Sequence, residues 1–256
     1  MLLTADVGNT NIKLGIFNGE NCEKLFRLGS GQKRTADEMG FLIAGLLEQA
    51  GFAKASVDCA IISSVVPDIT AVLASAISSA FSVTPLTVSP RMKMDVTVKK
   101  VRPAEVGADR LVNCVAAKND FPNGAVIIAD YGTAIKYDVL SADGEFLTGI
   151  TAPGIELCAE ALFSRAALIG QIELTLPPTV VAVNTVESVQ AGILYGKIGE
   201  AEYIINRLKK ELALNAVTVI ATGGAASLIA SGTDVFDVID PFLTLKGLRI
   251  LYDTNR

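Results

Sequence analysis

The chain has 256 residues, half of them apolar, and a formal net charge of −5. This length suits two domains of roughly 100–150 residues each, and so apolar a composition excludes an intrinsically disordered chain. A weakly acidic chain without a basic cluster excludes nucleic acid and anionic lipid surfaces as expected partners. Histidine is absent, so a catalytic base must be a carboxylate or, less commonly, Lys, Cys or Tyr.

The four cysteines form no CxxC pair and predict reduced core thiols, which fit the cytoplasm. No secretory signal is predicted, because Asp6 and Asn9 interrupt the N-terminal apolar stretch. The uncharged stretch 69–90 holds several serines and is broken by Pro85, so it predicts a buried helix and a strand rather than a membrane span.

The first half of the chain predicts an α/β lobe. Leu2–Val7 forms a buried strand, and Asn18-Gly19 is a hairpin signal between strands at 12–17 and 25–28. Thr35-Ala-Asp-Glu38 is a helix N-cap pattern. The elements that follow are a helix at 39–50, a strand at 57–66, a helix at 69–81 and a strand at 86–88.

The second half repeats this order. Asp130-Tyr-Gly-Thr133 separates strands at 125–129 and 135–140, as Asp6-Val-Gly-Asn-Thr10 does in the first half. Helices at 155–167, 186–212 and 241–253 and a strand at 217–221 follow, and the length of the second helix suggests a break. The recurrence predicts an α/β fold of two similar lobes, 1–115 and 116–256.

Asp6–Thr10 is a candidate phosphate-binding turn. Gly8 allows close approach of the backbone to an anion, Asn9 and Thr10 offer neutral donors, and Lys13 adds a positive charge. Asp6 would repel phosphate unless a cation lies between them, so its expected ligand is Mg²⁺. The alternative is a hairpin turn that binds no ligand, because such a turn has the same composition. The second turn favours a nucleotide, because the two turns would hold phosphate from both sides of an interlobe cleft.

Two further motifs are open to a functional or a purely structural interpretation. In Val106-Gly-Ala-Asp-Arg110, Asp109 could accept a hydroxyl proton and Arg110 could hold a carboxylate or a phosphoryl group. The alternative is a helix N-terminal acid beside a surface arginine. Thr222-Gly-Gly224 leaves room for a ring or ribose at a helix start, or is a simple turn. Neither a P-loop nor a dinucleotide fingerprint occurs.

In order and spacing, these motifs resemble the type III pantothenate kinases, within the acetate and sugar kinase, Hsp70 and actin superfamily. The resemblance extends over nearly the whole chain and implies an actin-like, ribonuclease H-like fold in each lobe. It implies ATP-dependent phosphorylation of pantothenate to 4′-phosphopantothenate, the first step of coenzyme A biosynthesis. The family is typically dimeric, with the substrate pocket bordered by the partner subunit.

The resemblance also implies residue roles. In the family the stretch matching Asp6–Lys13 binds ATP phosphates; its members here are Asp6, Val7, Gly8, Asn9, Thr10, Asn11, Ile12 and Lys13. The residue matching Thr133 contacts ATP, and Gly223 and Gly224 are expected beside the nucleoside. The family's general base matches Asp109, and its substrate-binding positions match Lys100, Gly107, Ala108, Asp109, Arg110 and Thr185. The acid matching Asp130 binds a monovalent cation, potassium or ammonium.

The sequence departs from the family pattern near this site. Ile135 and Lys136 stand where two threonines are usual, and Lys100 replaces a tyrosine. An ammonium group can imitate potassium, so Lys136 is a candidate to replace the monovalent cation. Three functions remain open: an active pantothenate kinase, a kinase of another small hydroxy acid or amide, and a non-catalytic protein. The non-catalytic protein would complete a heteromer with an active homologue or act as a regulatory binding protein.

Overall fold

The computed structural model describes residues 1–89, 91–99, 101–102, 105–166 and 168–256. By its internal contacts the chain forms two compact units. The first comprises Met1–Asn119 together with Phe242–Arg256, and the second comprises Asp120–Pro241. Each unit is described separately.

The first unit is built on one mixed sheet. Strands β1 (Leu2–Val7), β2 (Asn11–Asn18) and β3 (Asn21–Gly29) form an antiparallel meander, and β4 (Cys59–Ser64) and β5 (Leu86–Thr87) extend the sheet in parallel on the other side of β1. The strand order is β3-β2-β1-β4-β5. Helices α1 (Ala36–Gln49) and α2 (Pro67–Phe81), a 3₁₀ turn at Lys54–Ser56, the two-residue strand β6 (Thr97–Val98) and helix α3 (Ala108–Asp120) complete this part of the chain.

The core of the first unit lies between the sheet and α1 and α2. Alternate residues of β1 point into it: Leu3, Ala5 and Val7 are fully buried there. At the start of α1, the predicted cap is confirmed as a capping box, in which the Thr35 hydroxyl accepts from the Glu38 N–H and the Glu38 carboxylate accepts from the Thr35 N–H at 2.7 Å.

The second unit repeats the same topology. Strands β7 (Ala125–Tyr131), β8 (Ala134–Leu140) and β9 (Glu145–Pro153) form the meander, and β10 (Val217–Gly223) and β11 (Val238–Ile239) continue from β7 in parallel. Their order is β11-β10-β7-β8-β9. Helices α4 (Ile155–Arg165), α5 (Thr185–Glu211) and α6 (Ala226–Ala230) belong to this unit. The prediction of two similar α/β lobes is therefore confirmed.

The last helix, α7 (Leu243–Asn255), packs against β1, β2 and β4 of the first unit. The sequence placed it with the second lobe, because it follows that lobe in the chain. Small residues make the packing close. A Cβ at Gly15 of β2 would lie 3.0 Å from the Leu245 side chain, and a Cβ at Gly247 would overlap the Val112 carbonyl oxygen of α3. Helices α3 and α7 therefore lie against each other, and α7 covers the sheet face opposite to α1 and α2.

Two smaller expectations differ from the structure. Helix α5 is continuous, because buried Leu194, Ile198 and Ile205 hold one side of it along its length. The hairpin signal Ala142-Asp143-Gly144 predicts a strand after β8 but gives no bounds for it, and the structure has β9 there. Cys114 is buried, but the other three cysteines are partly exposed, so the prediction of core thiols is wrong for those three; all four are free. Among the described residues no helix has both the length and the apolarity needed to cross a membrane.

Candidate active site

The first aspartate loop is a tight turn between β1 and β2. The Gly8 N–H donates to the Asn11 carbonyl at 2.9 Å, and the Ser30 hydroxyl donates to the Gly8 carbonyl at 2.8 Å. A Cβ at position 8 would lie 3.2 Å from the Asn11 carbonyl, so a larger residue would press on the turn. Asn9 and Thr10 are exposed at its tip. These hydrogen bonds therefore hold the conformation of the loop, while its tip faces solvent.

Asp6 lies in a row of three polar residues across adjacent strands. It pairs with Lys13 of antiparallel β2 and with Ser63 of parallel β4. Because Ala5 and Val7 point into the core beneath α1 and α2, Asp6 points to the opposite face, and its partners in register share that face. The row therefore combines a carboxylate, an ammonium group and a hydroxyl at the carboxyl end of β1.

Asp109 lies in the first turn of α3. Its Oδ1 accepts a hydrogen bond from the Arg110 N–H at 3.0 Å, and a Cβ at Gly107 would lie 2.6 Å from the same oxygen. Any residue other than glycine at 107 would displace the carboxylate. The packing of α3 on α7 brings the Asp109 helix to the layer that covers the Asp6 face of the sheet. The side chains of Asp109 and Arg110 are both partly exposed.

The second aspartate loop contains an ion pair. Lys136 Nζ donates to Asp130 Oδ2 at 3.3 Å, and the two side chains are only 20% and 10% exposed. Asp130 pairs in register with Lys136 of antiparallel β8 and with Thr222 of parallel β10. The row of lysine, aspartate and hydroxyl found in the first unit is thus repeated in the second.

Glycines around the second loop allow close backbone packing. Gly223 has a φ of +96°, and a Cβ there would lie 2.5 Å from the Tyr131 carbonyl oxygen, so only glycine fits. A Cβ at Gly154 would overlap the Thr133 carbonyl, which accepts the Gly154 N–H at 3.0 Å. Gly224 is exposed with open space around it. The structure therefore brings Asp130, Thr133 and the glycine pair into one region of the second unit.

The sequence of the chain matches a known family. Residues 2–207 match the family model described as type III pantothenate kinase. The chain is 45% identical over 256 residues to the type III pantothenate kinase of Bacillus cytotoxicus, covering all of this chain and 97% of the relative. It is 43% identical over 255 residues to that of Moorella thermoacetica, covering both chains completely.

The chain belongs to the type III pantothenate kinase family.

Solved structures support the fold of this family member. A putative 2-dehydro-3-deoxygalactonokinase from Sinorhizobium meliloti superposes with a TM-score of 0.57 at 12% identity, covering 98% of this chain and 96% of the other. A protein described as a conserved putative Baf family transcriptional activator from Campylobacter jejuni superposes with a TM-score of 0.54 at 20% identity, covering 98% and 97%. At these identities the likeness shows the fold alone.

Two further positions, Thr185 and Lys100, are expected to bind the substrate from the type III pantothenate kinase pattern. Thr185 is the first residue of α5, and Asn184 caps the helix by accepting from the Glu187 N–H at 2.9 Å. Thr185 is exposed at this N-terminus. Lys100 lies outside the described residues.

A buried polar network beneath the second loop of this pantothenate kinase family member was missed by sequence reasoning. The Tyr137 hydroxyl donates to Glu200 Oε1 at 3.3 Å, and Lys197 Nζ donates to Glu200 Oε2 at 2.7 Å. Burial raises the pKa of Tyr137 and of Tyr131 above the usual tyrosine value, and Glu200 raises both further. Tyr131 and Tyr137 lie on the neighbouring strands β7 and β8, and the sequence gives no local signal that joins them to Glu200 of α5.

Proposed function

We propose that this protein transfers the γ-phosphoryl group of ATP to the primary hydroxyl of pantothenate, which is the first step of coenzyme A biosynthesis. The observation that carries the proposal is the fixed carboxylate of Asp109. It is held by the Arg110 N–H at the start of α3, in the helical layer on the Asp6 face of the first unit. A carboxylate base suits a chain that has no histidine.

In the proposed reaction the substrate hydroxyl oxygen attacks the γ-phosphorus, the bond from that phosphorus to the ADP oxygen breaks, and Asp109 accepts the hydroxyl proton. Phosphoryl transfer passes through a loose transition state, so positioning and neutralisation of charge matter more than a strong base. The Arg110 guanidinium is suited to the transferring group or to the carboxylate of the substrate. Lys13, Asn9 and Thr10 are suited to the phosphates of ATP.

Magnesium fits the first loop of the protein. Mg²⁺ in kinases is usually bound by one or two carboxylates together with phosphates and water, not by a cage of protein ligands. Asp6 offers one carboxylate, and the described residues contain no cluster of three or more His, Cys, Asp or Glu side chains. The buried Ser63 hydroxyl beside it makes no hydrogen bond with any described residue. When bound, Mg²⁺ would neutralise phosphate charge.

A monovalent cation does not fit at Asp130, because the Lys136 ammonium group already lies 3.3 Å from its carboxylate. Lys136 occupies the same place in its row as Lys13 does in the first unit. We therefore propose that Lys136 supplies the positive charge at the second loop and that activity does not require potassium or ammonium. Thr133, Gly223 and Gly224 are proposed to contact the nucleotide there.

The surface of the second unit supports a homodimer, with Thr185 contacting pantothenate near its partner. Apolar side chains are exposed on α4, in the segment between α4 and α5, and at the start of α5: Leu157, Leu162, Leu168, Val180, Val181, Val183 and Val186. Exposed apolar side chains concentrated in one part of a surface are typical of interfaces between proteins. Free cysteines support the proposed cytoplasmic location.

The test uses the purified protein alone, with ATP, Mg²⁺ and pantothenate. We expect ADP and 4′-phosphopantothenate in equal amounts, with pantothenate preferred over other small hydroxy acids and amides. Equal rates without pantothenate, or product only after a homologous chain is added, would contradict the proposal. Light scattering on the same sample gives the subunit number.

A further inference from the structure

The hydroxyl of Ser63 is buried and makes no hydrogen bond with any described residue. Serine 63 is the last but one residue of β4, and it pairs in register with Asp6 of the parallel neighbour β1. Because neighbours in register point to the same face, the hydroxyl and the carboxylate are adjacent on the side of the sheet away from α1 and α2.

Other polar groups on these strands have partners. The Thr4 hydroxyl, two residues before Asp6 on the same face, donates to the Gly15 carbonyl at 3.2 Å. The Ser64 hydroxyl, next to Ser63 but on the opposite face, donates to the Val66 carbonyl and accepts the Val66 N–H at 3.0 Å. A buried hydroxyl without a partner is unusual, and it calls for an explanation at Ser63 in particular.

We propose that Ser63 is a positioning residue for Asp6. Asp6 would hold the cation that is complexed to the nucleotide, and its carboxylate would accept a hydrogen bond from the Ser63 hydroxyl. A hydrogen bond of this kind fixes the orientation of a metal-binding carboxylate. Ser63 itself touches neither the cation nor the substrate.

The second unit supports this assignment independently. Asp130 pairs in register with Thr222 of β10, which is also a buried hydroxyl residue on the parallel neighbour. The two rows arise from different sequences and from loops of different length. Each unit thus places a buried hydroxyl residue beside its aspartate.

The experiment measures binding of Mn²⁺·ADP by the loss of the free Mn²⁺ signal in electron paramagnetic resonance. Metal-free ADP binding is measured by calorimetry in excess chelator. This inference rests on the proposed nucleotide function, which is tested in the wild type first. If the wild type binds no Mn²⁺·ADP, the proposed function fails and this inference fails with it.

With a wild type that binds, Ser63→Ala should weaken Mn²⁺·ADP binding about tenfold and leave metal-free ADP binding unchanged. Ser63→Thr, which keeps the hydroxyl as Thr222 does, should restore the affinity. Ser64→Ala is the matched control and should leave both affinities unchanged, although it removes a turn hydrogen bond. In an Asp6→Asn background, Ser63→Ala should have little further effect.

Two results would contradict this inference and leave the proposed nucleotide function standing. One is a Ser63→Ala variant that binds Mn²⁺·ADP as tightly as the wild type. The other is equal weakening of the metal-bound and metal-free nucleotide, which would mean that Ser63 acts on the fold and not through Asp6.

Discussion

Replacing Lys136 by methionine should make the protein sensitive to potassium. Methionine keeps most of the buried chain of Lys136 but removes the ammonium group that lies 3.3 Å from Asp130. The Asp130 side chain is only 10% exposed, so solvent compensates its charge poorly once Lys136 is lost. Breaking a buried ion pair by removing one partner typically costs about 3–5 kcal/mol.

We expect the low end of that range, about 3 kcal/mol, because Lys136 remains 20% exposed. For a chain of this size the loss corresponds to a fall in melting temperature of roughly 6–12 °C. Potassium should bind beside the Asp130 carboxylate of this variant and recover part of the loss, since any ligand of the native state stabilises it.

The assay compares urea unfolding and kinase rate in potassium chloride and in tetramethylammonium chloride at one ionic strength. The wild type should behave identically in both salts, and Lys136→Met should be more stable and more active in potassium. Lys210→Met, at an exposed position near the end of α5, is the control for loss of a positive charge. A wild type that depends on potassium, or a Lys136→Met variant with unchanged stability, would refute the reasoning.

Three further predictions concern other parts of the site. Asp109→Asn should lower kcat by at least about 100-fold while the Kd for Mg²⁺·ADP, measured by calorimetry, stays unchanged; loss of both would indicate a structural role. Gly223→Ala should lower the free energy of unfolding by about 1–3 kcal/mol, because φ is +96° and the Tyr131 backbone leaves no room for a Cβ. Gly224→Ala is the control and should change the free energy of unfolding by less than about 0.5 kcal/mol, because the space around Gly224 is open. Equal effects of the two substitutions in urea titrations would be inconsistent with this packing. Burial raises the pKa of Tyr137, so the unfolded chain loses that proton first and the free energy of unfolding falls as pH rises through about 10. Tyr137→Phe should reduce this fall by about 1.4 kcal/mol in total between pH 9 and 11, and an unchanged fall over that interval would contradict the assignment.

Local signals were sufficient to predict much of each unit. The capping pattern at Thr35 gave the start of α1, and the Asn18-Gly19 hairpin gave the pairing of β2 with β3. These features depend on neighbouring residues, so they can be read from a short window. The two Asp-x-Gly turns likewise gave the repeat of the meander in both units.

Contacts set by register could not be predicted in the same way. Three residues, Gly8 to Thr10, separate β1 from β2, whereas only Gly132 and Thr133 separate β7 from β8. Lys13 and Lys136 therefore follow their aspartates at different spacings although they occupy equivalent places in the sheets. Ser63 and Thr222 are more distant still in the chain, and parallel pairing brings them beside Asp6 and Asp130.

The position of α7 has a consequence for how the chain folds during synthesis. The residues Met1–Asn119 are translated well before α7, the helix that covers their sheet. Until then, one side of β1 and the groove along α3 at Val112 lack their apolar cover. The first unit therefore cannot mature until α7 has been made, and a premature stop codon shortly before Leu243 would leave this unit incomplete even though every residue of its sheet had been made.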